Sequence, residues 1–230
     1  MPTTSWGSIR GDVLRVTRED LCGAPIVGPA STISTKGFAS IALSPQYEEG
    51  TETVQKNADG TIDWIDKPKD ELKYVNATIV FNRVNPDIFS AIMGQPIVLD
   101  GNGDAVGIRI GETVQTSFAL EGWSDNPGVA CAGAKPYGYF LLPWLTGGRL
   151  DDFSIANEAA SFTISGSHTN ALSPWGVGPY DVVLQAPVDP ATVGLPGPLL
   201  TPIGAKQHLH MQTTLVPPPA PTPSPIALPA

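Results

Sequence analysis

Alternation of apolar and polar residues is the commonest pattern along this 230-residue chain, and that period-two rhythm predicts strands. KGFASIAL (36–43) and KYVNATIVFNRV (73–84) show it. So do ETVQTSFALEGW (112–123), GYFLLPWL (138–145), ASFTISGSHT (160–169), YDVVLQA (180–186) and KQHLHMQTTL (206–215). Turn formers separate the runs: ADGT (58–61), WSDNPG (123–128) and LSPWGVGPY (172–180). One segment breaks the rhythm. In NPDIFSAIMGQP (85–96), Pro86 opens a helix, Asp87 sits in its first turn, Gly94 stops it and Pro96 lies just beyond. Ile88, Ala91 and Ile92 then share one face, placed to pack on a sheet.

Three segments depart from both patterns. Residues 44–71 carry eight acids and three lysines, a net charge of −5. That is long for a strand connection, and such loops are usually functional or disordered. Tyr47, Val54, Ile62, Trp64 and Ile65 favour a segment that packs on something. An extended β-arm with its tip at Asp59–Gly60 is expected. APVDPATVGLPGPLLTPIG (186–204) is expected to be a crossing loop before the last strand. VPPPAPTPSPIALPA (216–230) is expected to be polyproline II or disordered, without strand or helix, because proline lacks the N–H and fixes φ.

Composition narrows the class. Only 15% of residues are charged, while Gly and Pro number 24 each, which suits many short strands joined by tight turns. The net charge is −9, and the 13 Lys and Arg are scattered singly, so tight nucleic-acid binding is not expected. An acidic surface past which nucleic acid slides is compatible with that charge. No run of eighteen apolar residues predicts a membrane helix. The N-terminal MPTTSWGSIRGDVLRV lacks the basic-then-apolar pattern of a signal peptide. Cys22 and Cys131 are expected to be reduced, buried thiols of a cytosolic product, although spacing alone leaves a disulfide open.

The chemical motifs are weak. DGNGD (100–104) begins like a calcium loop, with oxygen side chains at Asp100, Asn102 and Asp104. Such a loop needs Gly at position six and Glu at twelve, and Ala105 and Gly111 stand there. A hairpin explains the stretch better: PIVLD in, Asn-Gly at the tip, AVGIRI out. GxxxxGK[ST] is absent, and GxGxxG fails at Val106. His208 and His210 are expected on one strand face as paired polar side chains; two imidazoles alone, with His168 remote, do not make a zinc site. Ser165–Gly166–Ser167–His168 has the letters of a hydrolase, but adjacent strand residues face opposite ways. Asp151–Asp152 reads as a solvated acidic pair. No catalytic, cofactor or metal residue is therefore nominated, and an enzyme is not expected.

Two longer runs carry a resemblance. VNATIVFNRVNPDIFSAIMGQPIVLDGNGDAVGIRI (75–110) and PYGYFLLPWLTGGRLDDFSIANEAASFTISGSHTNALSPWGVGPYDVV (136–183) resemble the major tail proteins of long-tailed phages of actinobacteria. The shared order is a strand, a short helix beginning near Asn85–Pro86, a G-x-P strand and a D-x-x-G hairpin. A GYFLLPW-like strand, a Gly-Gly step, a D-F-x-I strand and a W-G-x-G-P-Y turn follow, and a strand around His208–His210 closes the domain. The resemblance covers about residues 72–215.

It implies a mainly β fold: a β-sandwich or barrel, tail-tube-like, over residues 1–215, with one short α-helix. The arm at 44–71 would be an inter-subunit contact and 216–230 a Pro-rich C-terminal extension. It implies a structural virion protein, made in the host cytoplasm and located in the tail. Hexameric rings would stack into a tube, other tail proteins would meet its ends, and DNA would pass through the lumen without specific binding. The alternatives are a capsid decoration or tail terminator protein and, more remotely, a carbohydrate-binding β-sandwich using Trp64, Trp123, Trp144 and Trp175.

Overall fold

The computed structural model describes residues 10–112, 114–125, 137–170 and 196–228, and among these described residues it holds fourteen strands and one helix. In chain order the elements are β1 (Arg10–Glu19), β2 (Gly28–Thr35), β3 (Phe38–Glu48), β4 (Thr53–Lys56), β5 (Ile62–Asp66), β6 (Glu71–Phe81) and α1 (Pro86–Met93). They continue with β7 (Ile97–Leu99), β8 (Ala105–Ile108), β9 (Ser117–Asp125), β10 (Tyr137–Thr146) and β11 (Arg149–Leu150). The last three are β12 (Phe162–Thr169), β13 (His210–Thr214) and β14 (Ile226–Leu228). Ten strands form one antiparallel sheet in the order β14-β2-β1-β9-β10-β12-β6-β3, with β11 paired to β12 and β13 to β10. β4–β5 and β7–β8 are separate hairpins.

The main core shows how this sheet is shaped. Leu14 and Val16 from β1 and Phe118 and Leu120 from β9 share one cluster with Val75, Ala77, Ile79 and Phe81 from β6. Strands three or more places apart in the order can meet only if the sheet turns back on itself. Phe38 of β3 accordingly lies against Gly11 of β1, and Ile41 against Gly122 of β9. Among the described residues the sheet still has two ends, at β14 and β3, and does not close into a barrel. The β6 alternation is read cleanly: residues 75, 77, 79 and 81 are each about 1% exposed, with Asn76, Thr78 and Val80 between them.

α1 forms where its caps dictate. Asn85 Oδ1 accepts from the Asp87 and Ile88 amides at 3.0 and 3.3 Å, and Pro86 occupies the first turn, where no donor is required. Gly94 closes the helix at φ 70°, its N–H donating to Ser90 O at 2.8 Å. Ile88, Phe89, Ala91, Ile92 and Met93 all enter the main core, a wider face than the three residues the spacing predicts.

The central strands are buried on both faces. Opposite the main core, Val13, Ala119, Trp123, Tyr139 and Leu141 pack against Leu199 and Ile203. Within that second layer Arg15 binds Glu121 through two bonds of 2.6 and 2.8 Å. The Tyr139 hydroxyl donates to Glu121 Oε1 at 2.8 Å, and the guanidinium lies 5.3 Å from the Trp123 ring centre. Burial on both sides removes strict alternation, which is why RGDVLRVTRE gives no strand signal in sequence. β2, GPASTIST, is hidden for another reason: its buried residues include Ser31, Thr32 and Ser34.

Other expectations are corrected. β9 begins at Ser117, so Glu112 and Val114–Thr116 are loop, not strand. Asp152–Ile155 is also loop, with Ile155 90% exposed. Cys22 is exposed in the β1–β2 turn rather than buried. Cys131, Trp175 and the strand expected at 180–186 lie outside the described residues.

The corner between β10 and β11 leaves no room for a side chain at its second glycine. Gly148 has φ 146°, and a Cβ there would stand 2.8 Å from Ile92 Cγ2 and 3.1 Å from Ile92 O. Gly148→Ala is expected to cost about 3 kcal/mol through strain and overpacking. Urea denaturation measures it, and a loss below about 0.5 kcal/mol would contradict this packing.

Glu19 ends β1 only 5% exposed, and among the described residues neither carboxylate oxygen has a hydrogen-bond partner. Burial, and secondarily the charge of Asp20, push its carboxyl from an ordinary 4.5 up to about 10. Between those values the folded chain holds a proton that the unfolded chain releases, so stability falls as pH rises through that window. Below 4.5 the penalty is absent. Glu19→Gln is therefore expected to stabilise by roughly 2 kcal/mol at pH 7 and to match the parent near pH 4. Thermal melts across pH check this, and a gain independent of pH would refute it.

Candidate assembly surface

β3 and β6 run side by side from Phe38↔Phe81 to Glu48↔Glu71, and an arm leaves at the second end. Residues 44–48 and 71 thus belong to the main sheet, and the arm proper is 49–70. Gly50 N–H donates to Asp70 Oδ1 at 3.2 Å at its base. Beyond it, β4 and β5 pair as an isolated hairpin. The tip is where the sequence places it. Asn57 N donates to Thr61 O at 2.8 Å, and Gly60 takes φ 88°. Asp59 Oδ1 accepts from the Thr61 amide and hydroxyl, which lowers the Asp59 pKa.

The arm's apolar residues have no cover. Cross-strand pairing sets Val54 beside Ile65 on one face and Trp64 beside Gln55 on the other, while the bulge at Asp63 puts Ile62 opposite Lys56, on the Val54 face. The four apolar residues, with Tyr47 near the base, are between 40% and 60% exposed. A lone two-stranded hairpin is marginal in water, and apolar groups on both faces add to that cost unless something covers them.

At the other end of the β3–β6 ribbon lies a cleft of about 470 Å³. The chain leaving α1 forms one wall, with Met93, Ile110 and Val114, and the segment after the glycine corner forms the other, with Arg149, Leu150 and Phe153. Ile110, Val114 and Phe153 are 61%, 45% and 45% exposed. Alternation does not reveal this cleft, since Ile110 and Val114 fall outside strands. The nearest signal in sequence is the Gly-Gly step that turns the chain toward it.

The C-terminal tail contradicts its expectation. Ile226–Leu228, between Pro225 and Pro229, forms β14 and pairs antiparallel with β2. Three consecutive residues with free N–H groups suffice at a sheet edge, where flanking prolines are tolerated. Thr222 N donates to Ser34 O at 3.0 Å, and Ser34 N donates to Thr222 Oγ1 at 3.1 Å. Val216 and Leu228 are 3% and 8% exposed. The surface that holds the tail is thus the chain's own β2.

DGNGD is a hairpin tip between β7 and β8, as expected, with a longer loop than a two-residue turn. Asp100 Oδ1 accepts from the Asn102 and Asp104 amides at 2.8 and 2.9 Å, and those bonds lower the Asp100 pKa. Gly103 takes φ 89°. The β1–β2 turn repeats the scheme, with Asp20 Oδ1 accepting from the Cys22 and Ala24 amides. The carboxylate at each tip is an intraloop cap.

The remaining candidates do not converge. His208 precedes β13, is buried against Thr169 Oγ1 at 2.8 Å, and has its pKa lowered by burial. His210 opens β13 and contacts Gln212, so the two imidazoles are not both on the strand. Ser165 Oγ donates to Asp151, Ser167 Oγ to Gly147 O, and His168 contacts Thr146. Among the described residues no group of three or more His, Cys, Asp or Glu is placed to hold a metal. Trp123 is buried while Trp64 is exposed on the arm, so they form no common sugar platform.

No family model matches the chain, and no curated protein matches it.

Truncation after residue 215 uncovers the β2 edge and removes two buried apolar side chains. A loss of roughly 2 kcal/mol is expected, since part of the burial gain is offset by the freedom the tail regains. Thermal unfolding of the truncated chain against the full chain checks it, and identical melts would make the tail dispensable for stability.

Proposed function

We propose that this chain is a tail tube subunit of a long-tailed phage. Hexameric rings of it stack into a tube, and DNA passes through the lumen without specific binding. The observation that carries the reading is the arm: a hairpin with uncovered apolar residues on both faces, standing off a sheet that has a complete core of its own. Such a projection is stable in water only when other surfaces cover it. The ordered motifs of residues 75–110 and 136–183 support the family assignment, and the net charge of −9 suits a wall that phosphate must not stick to. On this reading the folded-over sheet is the tail-tube sandwich, and the inner barrel closes only between subunits.

Negative-stain microscopy of purified protein tests the reading, with rings or hollow tubes expected. Material that stays monomeric or trimeric and binds empty capsids points instead to a decoration protein. Deleting residues 50–65 is expected to leave a soluble, folded chain that no longer forms tubes. Normal tubes from that deletion would exclude the arm as the assembling element.

A further inference from the structure

We infer that Trp64 of one copy seats in the cleft between the α1 exit and the β10–β11 corner of a second copy. This rests on the tube reading and names the surface that receives the arm. Three observations carry it.

The first is position. The arm departs at Glu48↔Glu71. The cleft lies at the opposite end of the same ribbon, because Asp151 N bonds Thr163 O at 2.8 Å and Thr163 pairs with Val80. Some nine residues of extended strand separate the two levels, roughly 30 Å. A projection at one end and a receptor at the other give a head-to-tail contact. Such contacts between identical copies repeat as open stacks rather than closing as dimers.

The second is fit. The arm presents Trp64, 51% exposed, at mid-strand, and the cleft of about 470 Å³ presents Ile110, Val114 and Phe153, all substantially exposed. A large aromatic side chain entering a pocket ringed by apolar groups is the usual anchor of a protein interface.

The third is charge. Asp63 and Asp66 flank Trp64 in sequence. Arg149 stands at the cleft with its side chain 82% exposed and only a 4.0 Å contact to Asp151. Asp152 shares that rim, so the arm's acids are placed on the Arg149 side. These rim charges orient the arm more than they hold it.

The test replaces Trp64 with the photo-cross-linking residue p-benzoylphenylalanine and assembles a mixture of unlabelled and ¹⁵N-labelled chains. Mass spectrometry of the irradiated material is expected to show links from residue 64 to 110–114 or 148–153 in mixed-isotope pairs. Links to other segments, or only within one chain, overturn the inference. In parallel, Trp64→Ala and Ile110→Asp are each expected to raise the critical concentration for assembly about tenfold or more. Ile155→Asp, which is exposed but outside the cleft, is expected to change it less than about twofold. Equal effects from all three variants would overturn the seating. Absence of any oligomer from the unmodified chain overturns the tube reading itself, whereas tubes with links elsewhere overturn only this contact.

Discussion

A sheet of this length encloses a common core only by turning back on itself, and the corner after β10 is where it does so. β10 and β12 both break register there, between Leu142 and Leu145 and between Ile164 and Ser167. Gly147 and Gly148 carry the chain round to β11, which pairs with the same β12. Side chains lock the bend to the helix: Thr116 Oγ1 donates to Ile92 O at 2.6 Å, and Ser167 Oγ to Gly147 O at 3.1 Å. Bulges and glycines are the ordinary means of bending strands sharply. Here the bend lets β6 and β12 close over β1 and β9, seats α1 between them, and leaves the cleft on the corner's outer side.

The central strands solve a second problem, that of register. Arg15 and Glu121 are direct cross-strand partners on the face away from the main core. A slip of one residue would turn both toward Leu14, Val16 and Leu120, where a charge has no partner. A buried pair adds little net stability over apolar replacements, but separating it costs about 3–5 kcal/mol. It therefore penalises wrong registers more than it strengthens the right one. Glu19, on the same strand, has no such compensation. Its carboxyl enters the fold with a proton, and the chain is less stable at neutral pH for that reason.

The sequence is legible where one face is wet. β6 and β12 show alternation, and α1 carries both caps in its letters. The arm and its tip are legible too, since a long acidic loop holding Trp64 and an Asp-Gly step has few other forms. β1 and β9 escape or blur because both faces are buried, and β2 because its buried residues are hydroxyls that bond rather than repel water. β14 escapes because fifteen residues with seven prolines outweigh three ordinary ones in any local window. The cleft escapes altogether. It is made of loop residues brought together by a corner, and no periodicity records that.

The two sheet edges are managed differently, and the difference bears on assembly. β14 lies along β2 and satisfies part of that edge, while among the described residues nothing pairs with the outer side of β3. An open edge of eleven residues is a template for another strand. On the tube reading, copies join sideways along that edge and stack through the arm. The two directions then use different chemistry. Sideways growth relies on backbone hydrogen bonds, which are indifferent to salt and carry little sequence specificity. On that same reading stacking relies on an aromatic anchor, with a few rim charges to orient it. The acids concentrated on the arm fit this division, because like charge between free arms keeps unassembled chains apart until the cleft of another copy offers apolar cover. The same residues that make the arm costly alone then make assembly favourable and directional.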